Sequence, residues 1–334
     1  MKILCIGGSG NISASVVRYG LLKGHEMYIL NRHGDVALEA LGAHHIACDI
    51  HDGDALKRTV ANMEIDVAMD FICFTVDDAR RDYEAFGGRV RQFIFISSCT
   101  VYQKPCLTTP VTEDVPLKNP YSDYAQNKIA CELYFGERYR EDDFPVTIVR
   151  PSHTYGETKL VVGPLMGWQV PHWSLADRIL RGKPVIVQDT GRSLWTVTHS
   201  DDIAVGICGL AGNPAAIGHA FHITNEMPMT WNEIMETYGW LLHRQVDIVH
   251  IPTEYIKKKY PEMAQGIYGD MAENGVFDNS KIKRFVPEYA PHITLREGLA
   301  RSLRWYEDHP EAKVADADYD AWTDALIGDW MAVK

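Results

Sequence analysis

Over the first 150 residues, short unbroken apolar runs alternate with stretches in which apolar positions recur every three or four residues. The runs Lys2–Ile6, Glu26–Leu30, His45–Cys48, Asp66–Phe71, Gln92–Ile96 and Val146–Val149 read as strands. Phe93-Ile-Phe-Ile96 is apolar without alternation, as strands buried on both faces of a parallel sheet are. The amphipathic segments Ser13–Leu22, Ala55–Asn62 and Tyr124–Tyr139 read as the helices that cover such a sheet. The pattern predicts an α/β chain with a doubly wound parallel sheet.

After Arg150-Pro151 the pattern loosens. Residues 157–190 carry Pro164, Pro171 and Pro184 with Trp168 and Trp173, and residues 228–300 are helical but irregular. We expect a sheet domain over 1–156, rejoined by 196–225, and a smaller C-terminal substrate lobe, interleaved with it, over 157–195 and 226–311. The tail 312–334, with Trp322 and Trp330, reads as a docked helical extension. At 334 residues the chain is long enough for this arrangement.

A formal net charge of −12 argues against a nucleic-acid or anionic-membrane surface. The one basic run, Lys257-Lys258-Lys259, reads as a solvated helix face. No run of apolar residues is long enough to span a membrane. Seven cysteines, an odd number without a C-x-x-C pair, suggest a reducing compartment. The N-terminus enters a strand without a signal-peptide pattern, so the expected location is cytoplasmic. The histidines show no metal-ligand spacing, and no catalytic metal is expected.

The candidate chemistry begins at Gly7-Gly8-Ser9-Gly10-Asn11-Ile12-Ser13, which follows the first strand and opens the first helix. Glycines there let the backbone approach a pyrophosphate lodged on the helix N-terminus, with Gly7, Gly10, Asn11 and Ile12 as contacts. Ser13 stands where the third glycine of G-x-G-x-x-G would be. The second strand runs into Asn31-Arg32-His33, with no carboxylate for a ribose 2′-hydroxyl. Arg32 can pair with a 2′-phosphate, which favours NADP over NAD. Asp49, before Ile50, ends the third strand where it can meet the adenine edge. Tyr124 and Lys128 lie four residues apart, on one face of a helix. A cation beside a phenol favours the phenolate, which makes tyrosine a usable general acid/base.

Gly7-x-x-Gly10, Ser98-Cys-Thr-Val-Tyr102, Tyr124-x-x-x-Lys128, Arg150-Pro151-Ser-His-Thr-Tyr155-Gly156 and His199-Ser-Asp201-Asp202 resemble the extended short-chain dehydrogenase/reductase family. The similarity is to its branch of nucleotide-sugar epimerases and dehydratases. The resemblance implies a Rossmann domain that binds NAD or NADP, with Pro151 beside the cofactor. It implies Tyr124 as acid/base, Lys128 on the nicotinamide ribose and Ser98 on the reacting oxygen. Thr100, His153 and Thr154 would face the substrate, and the family's habit implies a homodimer.

The chain departs from the family in three ways. Cys99-Thr100 replace the Asp-Glu pair of the dehydratases, which points to the epimerase branch. Trp195 takes the place of an arginine that grips the diphosphate; it could stack on a sugar, with Arg192 as a neighbouring cation. His153 replaces an asparagine, as a second proton carrier or a hydrogen-bonded pocket residue. The expected function is an NAD(P)-dependent epimerase or oxidoreductase acting on a secondary alcohol of a sugar or nucleotide-sugar-like substrate through a keto intermediate. The alternative is a dinucleotide-binding regulatory or RNA-binding protein on the same fold.

Overall fold

The computed structural model describes residues 1–167 and 169–334; Trp168, noted above, lies outside the described residues. All six expected strands form, with ends displaced by no more than two residues: β1 Lys2–Ile6, β2 Glu26–Asn31, β3 His44–Ala47, β4 Val67–Asp70, β5 Gln92–Ile96 and β6 Val146–Pro151. They pair in parallel in the order β3-β2-β1-β4-β5-β6, and Ala220–Ile223 adds a seventh strand beside β6. The chain reverses its direction of travel across the sheet between β1 and β4. That switch point is where a doubly wound sheet opens a crevice at its carboxyl ends.

Period-two burial explains the unbroken runs. Ile3 and Cys5 pack on one face with Val16 and Val17 of the helix Asn11–Leu22 and Ile203 and Ile207 of the helix Ser200–Leu210. Leu4, Ile6, Phe93 and Phe95 point the other way, onto Leu56, Phe86, Cys131 and Phe135 of the helices Gly53–Val60, Val76–Phe86 and Asp123–Asp142. Both faces are covered, so no position on the central strands is left polar for solvent. The helix Val76–Phe86 is hidden in the sequence by its charges. Thr75 and Asp78 cap it reciprocally, and Arg81 pairs with the buried Asp70 and Asp82 at 3.0 and 2.7 Å.

A separate hydrophobic core forms after β6. Leu160, Val161, Trp173, Trp195, Trp231 and Leu299 cluster there, and three short strand pairs frame them. His153–Tyr155 pairs with Val197–His199, Leu194–Trp195 with Met229–Thr230, and Val185–Gln188 with Ile248–Ile251. The helix Ala317–Val333 docks through Leu326 and an ion network in which Arg178 and Lys183 each reach Asp320 at 2.6 Å. Among the described residues, no helix is long and apolar enough to cross a membrane.

Candidate active site

The turn after β1 is shaped for close approach. Gly7 has φ +72°, and a Cβ there would meet the Ile72 side chain at 2.8 Å. Ser13 does not push the helix away as a bulkier third position would. Its hydroxyl donates to the Gly7 carbonyl at 2.6 Å and accepts the Gly10 N–H at 2.8 Å, closing the turn. Gly10 caps the helix in extended conformation and offers no side chain to its first-turn amides, which fits a pyrophosphate. The Asn11 amide reaches the Thr154 carbonyl at 3.5 Å, and Ile12 packs against the core below.

At the end of β2, Asn31 shapes the loop. It donates to Ser9 Oγ at 3.0 Å and accepts the N–H groups of His33 and Gly34 at 3.2 and 2.6 Å. Arg32 is exposed and has no ion-pair partner among the described residues. Asp49 is exposed too, its carboxylate accepting the His51 N–H at 3.1 Å, while Ile50 is buried beneath. Pro151 is buried at the end of β6, level with Ile223.

Ser98 lies two residues beyond β5 and caps a short turn. Its Oγ accepts from the Thr100 N–H at 3.2 Å and the Thr100 hydroxyl at 2.9 Å, which leaves its own proton free to donate. Ser122 caps the helix Asp123–Asp142, which puts Tyr124 in the first turn and Lys128 one turn deeper. Tyr124 is 44% exposed, and no protein group bonds its hydroxyl among the described residues. Lys128 is 1% exposed. Its ammonium donates to the carbonyls of Cys73 and Ile96 at 2.7 and 2.8 Å, bridging the loop after β4 to the end of β5. The rings of Phe74, Phe95 and Tyr124 surround it at 4.8, 4.9 and 5.9 Å. No carboxylate pairs with it among the described residues, and of the three N–H donors of a lysine one is left over. A ribose hydroxyl fits that donor.

Behind this loop, Arg150 and Glu132 form a buried pair at 2.5 Å. Ser97 donates to Glu132 at 2.5 Å, and Arg150 donates to the Tyr102 hydroxyl at 2.8 Å. Tyr102 in turn bonds His222, whose pKa burial pushes down to about 3, so the ring is neutral near pH 7. The His199–Asp202 segment serves the frame: Asp202 accepts the N–H groups of His292 and Ile293, and Ser15 ties the first helix to Ser200 and Asp201.

The substrate side departs further from expectation. Trp195 is 2% exposed, with the rings of His153 and Trp231 at 4.3 and 4.2 Å, so it has no free face for a sugar. It is a wall that backs His153. The His153 Nε2 is buried without a partner among the described residues. Burial first, then Lys159 and His172, hold its pKa well below the usual imidazole range, so the ring is neutral near pH 7. A neutral imidazole suits a hydrogen-bonding role better than proton delivery. Arg192 is exposed and lines a surface cleft of about 410 Å³ with Cys106, Thr109 and Glu273. Sequence reasoning missed Asn119, whose amide bonds the Thr100 carbonyl at 2.7 Å, and Asp270, which accepts the Trp195 indole N–H at 3.4 Å.

The profile of the NAD dependent epimerase/dehydratase family matches residues 3–224. The 2′-dehydrokanamycin reductase of Streptomyces kanamyceticus is 28% identical over 291 residues, 86% of this chain and 80% of that protein. The chloroplast stem-loop binding protein of 41 kDa b of Arabidopsis thaliana is 24% identical over 319 residues, 90% of this chain and 78% of its own. The UDP-glucose 4-epimerase of Bifidobacterium longum, solved with NAD+ and UDP, superposes with a TM-score of 0.75 at 18% identity, over 93% of this chain and all of that one. The chain belongs to the NAD dependent epimerase/dehydratase family and is an enzyme of the short-chain dehydrogenase/reductase type.

Proposed function

We propose that the protein is an NAD(P)-dependent epimerase or oxidoreductase acting on a secondary alcohol of a sugar or nucleotide-sugar-like substrate through a keto intermediate. The observation that carries this is the open Tyr124 phenol above a buried, carbonyl-bridging Lys128, beside a Ser98 hydroxyl with its proton free. A bound nicotinamide would supply the hydride acceptor and donor. Gly7, Gly10 and Lys128 would hold it, with Pro151 alongside. Tyr124 takes the proton of the carbinol hydroxyl, and Ser98 donates a hydrogen bond to the oxygen as it becomes a carbonyl.

Elimination of water is not expected. Cys99 and Thr100 carry no carboxylate, and burial raises the Cys99 thiol well above its ordinary range. Its Sγ lies 3.1 Å from the Arg150 carbonyl, facing away from acid/base work. Exposed Arg32 supports NADP over NAD. The division into a sheet domain and a C-terminal lobe belongs to this reading and is supported by their separate cores. A cytoplasmic homodimer completes it.

The test is a panel of nucleotide sugars and free sugars, each with NADP and with NAD, followed at the reduced nicotinamide band and by product mass. Turnover without net cofactor reduction marks an epimerase, and accumulating reduced cofactor marks a dehydrogenase. A product lighter by one water, or no turnover of any sugar, would defeat the proposal. The competing reading, RNA binding, is favoured by the likeness to the Arabidopsis protein and opposed by the net charge of −12. Retention of RNA on a filter that weakens steeply with salt would support that reading.

A further inference from the structure

Asn119 joins the catalytic loop to the C-terminal lobe. Its amide donates to the carbonyl of Thr100 and to that of Gly269, both at 2.7 Å. Gly269 belongs to Ile267–Met271, a single wide turn of π-helix, a form frequently found at functional sites. A Cβ on Gly269 would lie 2.9 Å from Ser122 Cβ, so the turn presses on the cap of the Tyr124 helix. On its far side, the Met271 carbonyl accepts from Gln188, Ser193 and Trp231 at 3.0, 2.8 and 3.2 Å. Asp270 stands between these two anchorages and is fixed against both the loop and the helix that carry the chemistry.

Its carboxylate is under-used. Among the described residues it accepts one long hydrogen bond, from Trp195 Nε1 at 3.4 Å. A carboxylate has room for about four, and Asp270 is half-buried, so its other oxygen is open to a ligand. Burial raises the Asp270 carboxyl above its ordinary value, with Lys104 and the Trp195 N–H pulling it back. Lys104 is itself buried, makes no ion pair with it, and donates to Cys106 Sγ at 3.5 Å.

We propose that Asp270 is a specificity-determining residue whose carboxylate accepts a hydrogen bond from a hydroxyl or ammonium group of the substrate, on a carbon other than the carbinol that Tyr124 deprotonates. The inference rests on the enzymatic reading above. It adds a substrate class: sugars that carry a donor near the reacting carbinol, with deoxy analogues rejected. A site built to bond a substrate hydroxyl discriminates strongly against the analogue that lacks it, because its own polar group is left unpaired.

The experiment pairs substrate and enzyme changes. For a sugar that the wild type turns over, kcat/KM is measured for the parent and for each deoxy or deamino analogue, with wild type, Asp270→Asn and Asp270→Ala. The expected wild-type preference over one analogue is about 10²-fold or more. That preference collapses in Asp270→Ala, through KM more than kcat, while NADP binding stays unchanged. An ammonium partner is distinguished by a larger loss in Asp270→Asn than a hydroxyl partner gives. A wild type indifferent to every analogue, or a preference kept by Asp270→Ala, overturns the inference; the first needs no variant to fold. A wild type inert to every sugar removes the enzymatic reading and this inference with it.

Discussion

The rim of the sheet and the wall of side chains around Trp195 are built differently. The rim is mostly backbone chemistry: Gly7 and Ser13 close the first turn, and Lys128 joins a carbonyl in the loop after β4 to the one that ends β5. The wall is side-chain chemistry gathered from far apart in the chain, with His153, Trp231 and Asp270 each touching Trp195. Backbone groups are present whatever the sequence, so the rim suits a constant ligand. The wall can change one side chain at a time, and the specificity proposed for Asp270 is placed there.

The sharpest way to break this comparison is at the rim. Tyr124→Phe removes only the phenol oxygen and should lower turnover by about 10²–10⁴-fold with cofactor affinity preserved. Ser98→Ala should cost less, since a hydrogen bond and not a proton path is lost. Steady-state rates alongside cofactor titration check both, and a Tyr124→Phe enzyme at wild-type speed would take this residue out of the chemistry.

Next in size is the brace behind the rim. Arg150→Met leaves Glu132 buried and unpaired, and breaking such a pair costs about 3–5 kcal/mol. Denaturant unfolding should show it as a lower midpoint; an unchanged midpoint would mean that the rim stands without its brace. Arg32→Ala sharpens cofactor choice: loss of a charge-assisted hydrogen bond is worth roughly 1.5–3 kcal/mol, about tenfold or more in NADP affinity. NAD affinity should hardly change, and equal losses for both would contradict the pairing.

The smallest effect near neutral pH comes from acid. Burial depresses His222 to about 3 and His172 to about 4, from an ordinary 6.5. Above 6.5 both are neutral in either state and the full stability is present. As pH falls from 6.5 towards 3–4, the unfolded chain takes up protons that the folded one refuses, and stability is lost. Melting temperature should therefore fall across that interval, and a flat profile would show that the two imidazoles are not shielded.

The rim was legible because its residues act through local geometry. A strand buried on both faces leaves an unbroken apolar run, and a helix fixes Tyr124 above Lys128 by spacing alone. The seventh strand, Ala220–Ile223, was visible only as a region, because its polar His222 is drawn into the Tyr102 network. The wall was not legible in the same way. Nothing near Trp195 in the chain reveals that His153 and Trp231 will cover it, and nothing around Asp270 reveals that Asn119 will fasten its turn to Thr100.

The central claim is hydride removal from a carbinol with Tyr124 taking the proton. It is tested most directly with a sugar deuterated at that carbon, incubated with NADP or NAD and either wild type or Tyr124→Phe. The account predicts that wild type moves the deuterium to the nicotinamide, or returns it to the same carbon of an epimerised product, without exchange into water. Tyr124→Phe should bind the cofactor and leave the label where it was. Deuterium lost to solvent, or moved by Tyr124→Phe at the wild-type rate, would contradict it.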